Sequence, residues 1–78
     1  MTATVTATAV TKLDLATLLA YVETGSHKKA ARRMGITEGA CRKRIARVLE
    51  SVQATNVTQA VWSLRAELAA LQTHGQRT

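Results

Sequence analysis

Two glycines set the architecture of this chain. Gly25 and Gly35 each follow a stretch with helical periodicity and precede a residue suited to starting the next one. Glycine takes the left-handed backbone conformation that ends helices at no steric cost. The intervening segments are therefore short, and the chain is expected to fold as a set of small packed helices.

The first helix is predicted at about 12–24. Thr11 and Asp14 have the spacing of a capping pair. Leu15, Leu18, Leu19 and Val22 follow at i, i+3, i+4 and i+7, one apolar face. Gly25 ends this helix and Ser26 caps a second, at about 27–34. There Ala30, Ala31 and Met34 point inward, and Lys28, Lys29, Arg32 and Arg33 point outward. After Gly35, Ile36 drops into the core and Thr37 opens a third helix, Glu38 to Val52. Its apolar stripe is Cys41, Ile45, Val48, Leu49 and Val52. Its other side carries Arg42, Lys43, Ala46 and Arg47, with Glu50 beyond. Gln53 to Thr55 form a short link. Asn56 and Gln59 then fit the cap and N3 positions of a fourth helix, at about 57–72. Val57, Val61, Leu64, Leu68 and Leu71 step +4, +3, +4, +3 along it, a strict seam.

The ends read differently. Residues 1–10 alternate threonine with alanine or valine, a strand template with no second strand to pair with. They are expected to form a flexible N-terminal arm or a partner-dependent strand. Lacking cations and a continuous apolar stretch, they do not fit a signal peptide. No run approaches the length of a membrane span. Residues 73–78 are polar and expected to fray.

Charge distribution narrows the function. Of 11 Lys and Arg, those between positions 28 and 47 are Lys28, Lys29, Arg32, Arg33, Arg42, Lys43, Arg44 and Arg47. Glu38 is the only acid in that window, and the rest of the chain is slightly acidic. An anionic partner is implied. A membrane-surface helix needs large apolar side chains opposite its cations, and this window offers mostly alanine. One Trp, one Tyr and no Phe disfavour single-strand modules, which stack bases on aromatic rings.

Catalysis is not expected. A core drawn from 78 residues is marginal, and no nucleophile–base pair or metal set stands out. The single cysteine, Cys41, permits no internal disulfide and no cysteine-based zinc site. It reads as a small core residue. His27 and His74 lie far apart in sequence and make a poor metal pair. No cofactor is implied.

The segment Ser26 to Val52 meets the needs of a helix-turn-helix. Ala31 is the small residue where the second helix crosses, Gly35 supplies the turn, and Met34, Ile36 and Cys41 flank it. The run Gly35-Ile-Thr-Glu-Gly-Ala-Cys-Arg-Lys-Arg-Ile-Ala-Arg-Val-Leu-Glu, followed by Asn56-Val-Thr-Gln-Ala-Val61, resembles the LuxR/FixJ-type helix-turn-helix over about residues 10–70. The Asn-x-Thr-Gln-Ala-Val start of the fourth helix is the more specific part.

The resemblance implies an all-α, four-helix DNA-binding domain at 11–72 with a C-terminal dimerisation helix. The chain would be a dimeric, sequence-specific, double-stranded DNA-binding transcriptional regulator, cytoplasmic and nucleoid-associated, acting as a stand-alone reader. Helix 38–52 would lie in the major groove. Arg42, Lys43 and Ala46 match base-reading positions, and Thr37 matches a phosphate contact. Lys28, Arg44 and Arg47 join it as phosphate candidates by charge and position. Val61, Trp62, Leu64 and Leu68 are the expected dimer contacts. If that seam packs on the chain's own core instead, Trp62, Ala66 and Ala69 offer a second stripe. The sequence departs from the family at Ala40, Cys41, Arg44 and Val57, where the family has Thr, Val, His and Arg. Loss of the threonine at Ala40 removes one phosphate contact and opens an alternative. In that alternative the domain is a small adaptor or anti-regulator binding a transcription factor or polymerase subunit.

Overall fold

The structure is a computed structural model that describes residues 10–77. Among these residues there are five helices and no strand. Helix α1 spans Lys12–Thr24, α2 His27–Met34, α3 Glu38–Ser51, α4 Val57–Ser63 and α5 Arg65–Arg77. The N-terminal arm, apart from Val10, lies outside the described residues, as does Thr78.

Local signals explain the first three helices. Thr11 and Asp14 form the expected capping box: the Asp14 N–H donates to Thr11 Oγ1 at 3.0 Å, and the Thr11 N–H to Asp14 Oδ2 at 3.4 Å. Ser26 and Thr37 cap α2 and α3 by accepting the N–H groups of Lys29 and Ala40. Gly25 and Gly35 close α1 and α2 at φ of 84° and 72°. After α2 the Ile36 N–H reaches back to Ala31 O and the Gly35 N–H to Arg32 O, the paired bonds of a Schellman motif. The same motif ends α3 without a glycine. Gln53 holds φ 56°, its N–H bonds Glu50 O, and the Ala54 N–H bonds Leu49 O.

The core is small and aliphatic. Leu18, Ala30, Cys41, Val48 and Ala60 are fully buried, with Leu15, Ala31, Ile45, Leu64 and Leu68 nearly so. Helices α1, α2 and α3 pack on one another. The two alanines of α2 let the neighbouring helices approach closely. Val22 departs from the predicted apolar face of α1 and is exposed, as is Leu13.

The predicted single helix at 57–72 is two helices. The break falls at Leu64, whose φ of −107° and ψ of 18° leave the helical region. The last i to i−4 bond of α4, from the Leu64 N–H to Ala60 O, and the first of α5, from the Leu68 N–H to Leu64 O, meet at this residue. Arg65 Nη1 also donates to Trp62 O at 2.6 Å across the junction. Packing accounts for the change of direction. Helix α4 lies on α3 and α5 lies on α1, so the apolar seam turns at Leu64 to keep both halves on the core. Helix α5 continues to Arg77, past the predicted end at Gln72.

Candidate nucleic-acid interface

Helices α2 and α3 present the basic window, and internal bonds divide its cations into two sets. Two arginines of α3 turn back toward α1. Arg44 is half-buried and donates from Nη1 to Thr17 Oγ1 at 3.1 Å. Thr17 is fully buried, and its own hydroxyl donates to Leu13 O at 2.8 Å. Arg47 Nη2 lies 3.1 Å from Asp14 Oδ1, the carboxylate that also caps α1. Both arginines were expected at phosphates. The structure gives each an intramolecular partner, because Thr17 and Asp14 sit at the α1 surface that α3 covers. Arg47 remains 62 % exposed along its side chain, so its free edge still faces solvent. Arg44 does not stand on the outer face.

Two more arginines are paired on the surface. Arg33 binds Glu23 at 2.7 Å, and Glu23 also accepts a long bond from Gln72 Nε2 at 3.5 Å, which ties α1 to α2 and α5. Arg42 binds Glu38 at 2.7 Å, one turn earlier on α3. Surface pairs of this kind contribute about 0–1 kcal/mol and are screened by salt.

The second set is free. Among the described residues Lys28, Lys29 and Arg32 on α2 and Lys43 on α3 are exposed and make no ion pair. Lys28 and Arg32 lie one helical turn apart and share a face of α2. The sequence placed Lys28 at phosphates and showed Lys29 and Arg32 only as outward charges of the second helix. Their outward spacing within His27–Met34 was the signal for the whole group.

The outer face of α3 is shaped by small residues. Gly39, Arg42, Lys43, Ala46 and Glu50 are all exposed. Gly39 and Ala46 leave the helix surface low on either side of Arg42 and Lys43. The Thr37 hydroxyl accepts the Ala40 N–H at 3.1 Å, so it caps α3 while keeping its own proton to donate. No family model, curated protein or solved structure matches the chain.

The expected dimer contacts are split by the fold. Leu64 and Leu68 are buried in the chain's own core, at 4 % and 6 % exposure, and cannot meet a partner. Val61 is half-buried against that core. That seam closes the monomer: Ala60, Leu64 and Leu68 are buried in the core, with Val57, Val61 and Leu71 packed against it. Trp62 is 67 % exposed, with the Arg65 guanidinium 4.1 Å from its ring centre. Ala66 and Ala69 are exposed beside it, so the outward stripe is the second of the two the sequence offered.

Cys41 is fully buried behind α3. Burial raises its thiol pKa above the ordinary value, against the lowering effect of Arg44 and Arg42. The thiol is a core group. The described residues hold no cluster of three or more metal-ligating side chains, and no helix among them is long and apolar enough to cross a membrane.

Proposed function

We propose that the chain is a helix-turn-helix domain that binds double-stranded DNA as a transcriptional regulator, with α3 in the major groove and α2 along the backbone. The observation that carries this reading is the division of the cations. Lys28, Lys29, Arg32 and Lys43 are exposed and unpaired on adjoining helices, where each is free to neutralise a phosphate. Between them lies a helix surface kept low by Gly39 and Ala46, which suits close approach to base edges. Arg42 and Lys43 are the side chains of that surface able to donate to guanine. Thr37 donates to a phosphate at the start of α3.

Two chains would pair through the Trp62 stripe to give a two-fold reader, with half-sites spaced about 34 Å or one helical turn apart. The seam of Leu64 and Leu68 plays no part in that pairing.

The test is a salt titration of affinity for a labelled duplex. Four free cations per chain predict a slope of log K against log salt of about −3 to −4 per chain. A slope near zero, or no binding at low salt, contradicts the reading.

A second reading follows from the surface around Trp62. An open groove of about 670 Å³ runs beside it, lined by Ala54, Thr58, Val61, Trp62 and Arg65 among others. An adaptor binding a transcription factor or polymerase subunit would use this groove and not the basic face. In that case Trp62→Ala would abolish partner binding while the Lys28→Ala variant kept it.

A further inference from the structure

Glu38 is the one acid on the basic window, and it stands where a duplex would approach. It is the first residue of α3, and its Oε2 lies 2.7 Å from Arg42 Nη2. Both side chains are open to solvent, at 44 % and 60 % exposure. A bare carboxylate there would repel phosphates and weaken binding to any sequence. Paired with Arg42, it changes what that arginine is able to do.

The guanidinium has five N–H donors in a rigid planar fork. One Nη2 donor is engaged by Glu38, which leaves donors on the remaining edge. That edge matches guanine O6 and N7 in a bidentate contact. The pair is close to neutral, so Arg42 held by Glu38 has little to gain from a lone phosphate. Gly39 has no side chain, and a Cβ built on it would touch nothing within 4 Å, so nothing crowds the pair from that side. Lys28, Lys29, Arg32 and Lys43 have no such carboxylate. Lys43, the next residue, is unpaired and bears a point charge without a fork.

We infer that Glu38 is a specificity-determining positioning residue: it holds Arg42 away from phosphates and presents its free edge to a guanine in the major groove. The inference rests on the duplex-binding reading above. It divides labour across the face. Lys28, Lys29, Arg32 and Lys43 supply sequence-blind attraction, and the Glu38–Arg42 pair supplies discrimination. Glu38 lowers affinity for wrong sequences by the same charge that orders the reader.

The experiment uses a duplex selected from a randomised pool by the wild-type chain, and a scrambled duplex of equal length. Guanines in the selected duplex are replaced singly by 7-deazaguanine, which lacks the N7 acceptor. Wild type is expected to lose about tenfold in affinity at one guanine. In Glu38→Gln that penalty shrinks to about twofold or less, and affinity for the scrambled duplex rises. Its salt slope steepens by about 0.9, because the freed Arg42 now takes a phosphate. In Arg42→Ala the 7-deaza penalty also disappears, because no donor remains at that position. Thermal unfolding of each variant confirms that the fold is intact, since both positions are exposed.

If Glu38→Gln keeps the full 7-deaza penalty and the wild-type salt slope, the inference is overturned while duplex binding stands. If it tightens selected and scrambled duplexes equally, Glu38 is only a repulsive charge and the inference fails. If wild type shows no salt-dependent duplex binding, both the inference and the reading beneath it fall.

Discussion

Arg47 of α3 reaches Asp14 of α1 at 3.1 Å, joining α3 to the capping box that starts α1. The carboxylate is 4 % exposed and accepts from the guanidinium through one oxygen and from the Thr11 N–H through the other. A cap and a tertiary tie thus share one side chain. Asp14→Ala removes both carboxylate bonds but keeps the Thr11 hydroxyl cap, which accepts the backbone N–H of position 14. The expected cost is about 1–2 kcal/mol, mostly from the charge-assisted bond to Arg47, discounted because Arg47 is open to water. Urea unfolding at constant m-value measures it. A cost below about 0.5 kcal/mol would show that the tie carries no weight.

Arg44 and Lys28 are both cationic and both were expected at phosphates, yet their settings differ. Arg44→Ala removes a bond to the buried Thr17 hydroxyl and is expected to cost about 1 kcal/mol of stability, with the salt slope of duplex binding unchanged. Lys28→Ala is expected to leave stability within about 0.5 kcal/mol and to reduce that slope by about 0.9. Paired unfolding and binding titrations on the two variants separate the roles.

The two Schellman turns give opposite predictions. Gln53 holds a left-handed conformation that costs a non-glycine residue about 1 kcal/mol, so Gln53→Gly is expected to stabilise by up to about that amount. Gly35→Ala is expected to destabilise by about 1 kcal/mol at φ 72°. A Cβ built at Gly35 meets nothing within 4 Å, so the cost is conformational and not a clash. Melting temperatures of the two variants should move in opposite directions.

Cys41 makes stability depend on pH at the alkaline end. Burial raises its pKa in the folded chain, so the unfolded chain ionises first as pH rises. The stabilisation is complete below the ordinary thiol pKa of about 8.5 and declines as pH passes above it. Cys41→Val should flatten that decline. Native chain should also resist thiol-alkylating reagents until it unfolds.

Much of the fold was legible because its signals are local. The caps Thr11, Ser26, Thr37 and Asn56 and the stops Gly25 and Gly35 lie within three residues of what they control. The break at Leu64 was not legible. No glycine, proline or cap marks it, and the apolar steps run through it without a gap. Its cause is tertiary: α4 must reach α3 while α5 reaches α1. The candidate interface divides in the same way. Lys28, Lys29, Arg32 and Lys43 showed themselves as outward charges. Arg44 and Arg47 looked identical to them, because their partners Thr17 and Asp14 lie 27 and 33 residues away. Glu38 was visible at the right spacing from Arg42 but stood in the sequence only as the single acid of the basic window.

The central claim is that the α2–α3 face meets the duplex. Amide chemical shifts of labelled protein, followed as unlabelled duplex is added, test it residue by residue. The account predicts that the largest changes fall on Lys28 to Arg32, Thr37 to Lys43 and Ala46, and that they fade as salt is raised. Changes centred instead on Ala54, Thr58 and Trp62, or no salt-sensitive change at all, would contradict it.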